Sequence, residues 1–168
     1  PDWDRPVAFV PVEGPEEVDS EGSSKANRDQ AAATHAVVCD LLAAGDVSAS
    51  EIGVVTPYTA QVRLLMDLFS EGGGMAPEGR FDGLEVRSVD GYPGREKEVI
   101  VFCTVRSNPQ GDVGFLSDRR RLNVAITRAR RGLVVLGDAN TLRRDGHWSS
   151  WLDWVEEAGL MAWHVGRS

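Results

Sequence analysis

Residues 98–105 read EVIVFCTV, and residues 133–136 read LVVL. Successive side chains of a strand point to opposite faces. A run that is apolar at both odd and even positions must therefore be covered on both sides, as a central parallel strand is. Working outward, Ile52 to Thr56 is a third short apolar run, ended by Pro57, and Leu84 to Val89 a fourth. VAFVPV (7–12) is a fifth, broken by Pro11.

Helical periods fall between these runs. From Asn27 to Ala44, Ala31, Val37, Val38, Leu41 and Leu42 recur at helical spacing, with Asn27 suited to cap the start and Gly45 to end it. Val62, Leu65, Met66 and Phe69 follow at i, i+3, i+4, i+7. Asp118 can cap a helix predicted to run to about Arg131, and Trp148, Trp151, Leu152 and Val155 mark a last helix over about 147–159. EGPEEVDSEGSSK (13–25) and SEGGGMAPEGRFDG (70–83) read as loops. The alternation predicts one α/β domain over 1–168 with a doubly wound, mainly parallel sheet. Ligands of such sheets sit at the carboxyl ends of the strands.

The 168 residues are 42% apolar, enough to bury a core without disulfides. No apolar run is long enough to span a bilayer, and the expected setting is intracellular with no membrane partner. Cys39 and Cys103 are 64 residues apart and embedded in apolar stretches, which suits inert thiols in a reducing compartment. The net charge of −8 argues against binding nucleic acid by overall charge. Yet six of the 18 basic residues lie between Arg119 and Arg131, and 16 of the 18 are arginine, whose planar fork suits phosphate oxygens.

A domain hydrolysing nucleotide alone needs a glycine-rich phosphate loop ending in Lys and Ser or Thr. No G-x-x-x-x-G-K-[ST] string occurs, and the strand before Gly137-Asp138 lacks the Asp-Glu pair of a magnesium-holding strand end. The chain by itself is therefore expected to be inactive on ATP. What remains has both structural and functional readings. Thr56-Pro57-Tyr58 either stops a strand or turns a hydroxyl and an amide toward a phosphate backbone. Asp90-Gly91-Tyr92-Pro93-Gly94 is a turn that can bring backbone close to a ligand, leaving Glu96 free to accept from a ribose. In the predicted helix Arg121, Ala125 and Arg128 share a face that either meets water or meets phosphate. The tryptophans at helical spacing fit packing better than base stacking.

Three stretches, IGVVTPYTAQVRLL (52–65), VRSVDGYPGREKEVIVFCTVRSN (86–108) and GFLSDRRRLNVAITRARRGLVVLGD (114–138), together resemble the C-terminal, second RecA-like motor domain of a superfamily 1 helicase, of the nonsense-mediated-decay and immunoglobulin-mu-binding type. A weaker match is SKANRDQA (24–31). The resemblance covers about 24–140, taken as the core of the domain, and implies a P-loop-related fold without its P-loop. It implies two arginines, matched by Arg28 and Arg128, reaching the γ-phosphate of ATP and Mg2+ bound mainly by an absent first motor domain. By the same resemblance Glu96 and Gly94 lie near the nucleotide. Thr56, Pro57, Tyr58, Ser88, Arg106 and Asn108 lie on the side of a single-stranded nucleic acid, DNA or RNA, along which movement is 5′ to 3′. Tyr92-Pro93 departs from the usual Phe-Gln, which removes an amide side chain and a backbone N–H. A non-catalytic nucleic-acid-binding or scaffold module with the same fold is the alternative. A small-molecule α/β domain lacks a Gly-x-Gly-x-x-Gly fingerprint.

Overall fold

The computed structural model describes residues 6–71, 79–91 and 95–162. Five strands form one parallel sheet in the order β1-β7-β6-β4-β5, where β1 is Val7–Pro11, β4 Ile52–Thr56, β5 Glu85–Ser88, β6 Lys97–Cys103 and β7 Ala129–Gly137. The doubly apolar strand β6 lies in the middle. Ile100 and Phe102 enter one core with Val55, Leu133 and Val135, while Val99 and Val101 enter the other with Ile52, Val54 and Leu136. Ile100, Val101 and Phe102 are fully buried, each side chain contributing about 1.5–3 kcal/mol of apolar burial.

Helices α1 (Arg28–Ala44) and α2 (Thr59–Glu71) cover one face. The other is covered by α3 (Arg119–Ile126), the 3-10 turn Gly114–Ser117 before it, and α5 (Gly146–Glu157), with a one-turn α4 (Ala139–Leu142) leading into α5. The caps are those the sequence names. Asn27 accepts from the Gln30 amide, Gly45 ends α1 at φ 79°, and Asp118 accepts from the Arg121 amide. Asp145, which accepts from His147 and Trp148, starts α5.

Three expectations need correction. The loop over 13–25 contains a two-stranded ladder, β2 (Glu17–Val18) with β3 (Lys25–Ala26), because the Asp19 carboxylate gathers the Ser23 and Ser24 amides and closes the turn. Helix α3 stops at Ile126, not near Arg131. Thr127 turns its hydroxyl onto the Asn123 carbonyl at 2.6 Å, and the Arg128 carbonyl is taken by the Lys97 amide, which draws the chain into the sheet. Arg128 therefore shares no helical face with Arg121. Met66, assigned to the buried stripe of α2, is 46% exposed, and Val62, Leu65 and Phe69 carry the packing.

Candidate nucleotide and nucleic-acid interfaces

Parallel strands give the sheet two distinct rims, and the candidate residues divide between them. At the amino rim Lys97 and Ala129 face each other at the starts of β6 and β7. The Glu96 carboxylate receives Arg130 at 2.6 Å, and Glu98 receives Arg131 at 2.8 Å. Glu96 is thus held by an ion pair rather than free, although both partners are more than half exposed. Lys97, nearly buried, is satisfied by the Ser50 carbonyl at 2.7 Å and Glu85 at 3.4 Å. Arg128 immediately precedes β7, and its carbonyl accepts from the Lys97 amide. Its Nε is buried and has no hydrogen-bond partner among the described residues, a costly state for a charged donor unless a ligand completes it. Gly94, with Tyr92 and Pro93, lies outside the described residues.

Arg28 is elsewhere. It begins α1, beside Asn27, whose side chain donates to Val105 just past the end of β6, so it belongs to the carboxyl rim. Lys97 to Cys103 spans six strand steps, roughly 20 Å. The two arginines therefore leave the backbone at opposite rims, and Arg28, 71% exposed in its side chain, pairs with Glu17 at 3.4 Å.

The carboxyl rim holds a buried polar network. Val105 adopts φ 70°, a left-handed conformation that is unusual for a β-branched residue. Its amide donates to Gln30 Oε1 at 2.8 Å, and its carbonyl accepts from Asn27 Nδ2 and Gln30 Nε2. This bend delivers Arg106 into a pocket where Glu16 accepts from Nε at 3.1 and 3.2 Å, Tyr58 Oη accepts at 3.1 Å, and Asp112 lies at 3.2 Å. Burial opposes the charge on Arg106, but Tyr58 and Glu16 outweigh it and hold its pKa above the ordinary value. Burial raises the Tyr58 pKa, with Arg106 opposing.

Several residues assigned to a nucleic-acid face are consequently internal. Arg106 is 4% exposed, Tyr58 5% and Thr56 0%, with the Thr56 hydroxyl oxygen unpartnered among the described residues. Asn108 donates to Glu16 and to the Asp112 carbonyl, so it builds the loop. Pro57 and Ser88 are half-buried, and Ser88 Oγ accepts from the Gly91 amide. The physical reason is that the rim folds over itself: the loops at 12–16 and 106–113 close on Arg106.

The exposed aromatic here is one that sequence reasoning missed. Phe115, in the 3-10 turn, is 52% exposed and packs on Tyr58, ring centroids 5.7 Å apart, with the Arg121 guanidinium 5.3 Å from its centroid. A lone Phe in a short turn carries no period to reveal it. Arg119, Arg120 and Arg121 fill the first turn of α3, at the positive end of its dipole, where each cation costs about 0.3–1 kcal/mol.

Comparison with known proteins decides the family. The AAA domain family AAA_12 matches residues 1–140. The chain belongs to this family. Its relatives place the AAA domain among superfamily 1 helicase motor domains. It is 40% identical over 153 residues to a regulator of nonsense transcripts 1 homolog from Arabidopsis thaliana, covering 91% of this chain and 12% of that protein. It is 44% identical over 143 residues to the DNA polymerase alpha-associated DNA helicase A of Schizosaccharomyces pombe, covering 82% of this chain and 20% of that protein. It is 35% identical over 158 residues to the ATP-dependent helicase upf1 of the same yeast, covering 94% of this chain and 17% of that protein. The AAA domain described here thus spans a fifth or less of the length of these relatives. Among its described residues no group of three or more His, Cys, Asp or Glu side chains converges as a metal site.

Proposed function

We infer that this chain is the second motor domain of an ATP-dependent nucleic-acid helicase, presenting Arg128 across a cleft to ATP held by a first motor domain. The observation that carries the reading is the buried, unpartnered Nε of Arg128 at the amino rim. Its neighbours there are already matched, Arg130 with Glu96 and Arg131 with Glu98. The Arg128 carbonyl accepts from the Lys97 amide just before β7 begins, and its Nε has no partner among the described residues.

Phosphoryl transfer spreads negative charge over the equatorial oxygens of the γ-phosphate. A guanidinium already in place stabilises that charge without reorganising, and such a finger is worth on the order of 10³–10⁵ in rate. Mg2+ and the phosphate loop belong to the first motor domain, since this chain offers neither ligand set. Glu96 can exchange Arg130 for ribose hydroxyls when nucleotide enters. Closing and opening the cleft then moves the two halves along a single strand.

The test is ATPase turnover of the full polypeptide, with single-stranded nucleic acid in excess. Arg128→Ala should lower turnover at least about 10²-fold while thermal unfolding stays unchanged. Near-normal turnover in that variant would refute the role and favour a non-catalytic nucleic-acid-binding or scaffold module.

A further inference from the structure

We propose that Phe115 is a base-stacking platform for single-stranded nucleic acid at the carboxyl rim, an assignment that rests on the helicase reading above. The ring is half exposed, yet it is fixed from behind. Tyr58 packs against it, and Arg106 lies under Tyr58 with its guanidinium carbon 5.9 Å from that ring. The Tyr58 and Phe115 rings are tilted by 55°, and the Arg121 guanidinium lies over the Phe115 ring, 5.3 Å from its centroid, where a stacking base would displace it.

The turn that carries Phe115 is built to sit on this stack. Gly114 has φ +50°, and a Cβ there would collide with the Arg106 guanidinium and lie 3.0 Å from the Tyr58 hydroxyl. Only glycine lets the turn approach so closely. A rigid aromatic with a solvent-facing surface beside arginines is what a single strand needs, because every base has a π face and stacking is tolerant of sequence.

The arginines here share the rim with carboxylates, Glu16 against Arg106 among them. Asp90 and Asp118 pair with Arg121 at 3.2 and 3.8 Å, and Asp112 pairs with Arg106. Arg119 and Arg120 have no ion-pair partner among the described residues. The Arg121 pairs are exposed and contribute little, so phosphate can replace them.

The experiment measures binding of the full polypeptide, at fixed salt, to deoxythymidine and uridine oligomers of about 15 nucleotides and to an abasic phosphate chain of equal length. Phe115→Ala and Phe115→Leu should each lose about tenfold in affinity for the base-bearing oligomers and nothing for the abasic chain. Phe115→Trp should retain parental affinity. The leucine variant preserves apolar bulk without a π face, so its loss cannot be blamed on unfolding. Parental affinity in the alanine and leucine variants overturns the proposal and turns attention to a protein partner for this ring. Equal loss on base-bearing and abasic chains overturns it as well. A parent protein that binds no oligomer defeats the helicase reading itself, and this assignment with it.

Discussion

Gln30 receives the backbone amide of Val105 at 2.8 Å although the two residues are 75 positions apart. Through this bond the first turn of α1 holds the left-handed bend that follows β6, and that bend decides where Arg106 goes. Both residues are fully buried, so the bond has no water to substitute for it.

Gln30→Leu should therefore destabilise the fold by about 1–3 kcal/mol, the cost of leaving a buried amide unpaired. A lowered urea midpoint at unchanged slope is the expected result. An unchanged midpoint would mean that Val105 finds another acceptor.

Glu16 and Arg106 should behave as one unit. The Arg106 side chain is 5% exposed and that of Glu16 11%, so removing either partner deprives the other of its buried ion pair, Arg106 keeping Tyr58 and Asp112 and Glu16 keeping the Ser107 amide. Glu16→Ala and Arg106→Ala are each expected to cost about 3 kcal/mol, and the double variant much less than their sum. Strict additivity in urea unfolding would show that the pair is not coupled.

His35 stacks on Phe69 at 5.2 Å and meets Phe81 edge-on at 5.4 Å. Burial in this aromatic setting, with Arg80 nearby, lowers its pKa below the ordinary 6.5. The unfolded chain then takes up the proton at higher pH than the folded one. Stability contributed by neutral His35 is complete above about pH 6.5 and is lost as pH falls toward the folded value. His35→Phe should flatten the fall in melting temperature between pH 7 and roughly pH 5. An identical pH profile in parent and variant would exclude His35 as the cause.

Because Arg28 stands at the opposite rim from Arg128, Arg28→Ala should leave ATPase turnover of the full polypeptide within about twofold of the parent. Its exposed pair with Glu17 contributes at most about 1 kcal/mol to stability. A loss as deep as that expected for Arg128→Ala would require the two arginines to meet through a rearrangement.

Much of the architecture was legible because it depends on local chemistry. The doubly apolar run at 99–103, the Asn27 and Asp118 caps, and Gly45 each announce themselves within a few residues. The end of α3 was not legible. Arg119 to Arg131 continues a helical composition, and only the bond from Lys97 to the Arg128 carbonyl, across the sheet, converts its last part to strand. The return of the chain to β1, where Phe9 exchanges backbone bonds with Leu160 and Ala162, was equally invisible.

For the site, the sequence by itself determined which residue types were available: an arginine-rich segment, an acid at 96, a Thr-Pro-Tyr strand end, and no phosphate loop. Only the tertiary structure decided which of them meet. Strand direction separates Arg28 from Arg128, and long-range pairing turns Arg106 and Tyr58 inward while leaving Phe115 outward. Residue identity is written along the chain, but exposure and convergence depend on contacts between segments scores of residues apart, and no local pattern encodes those.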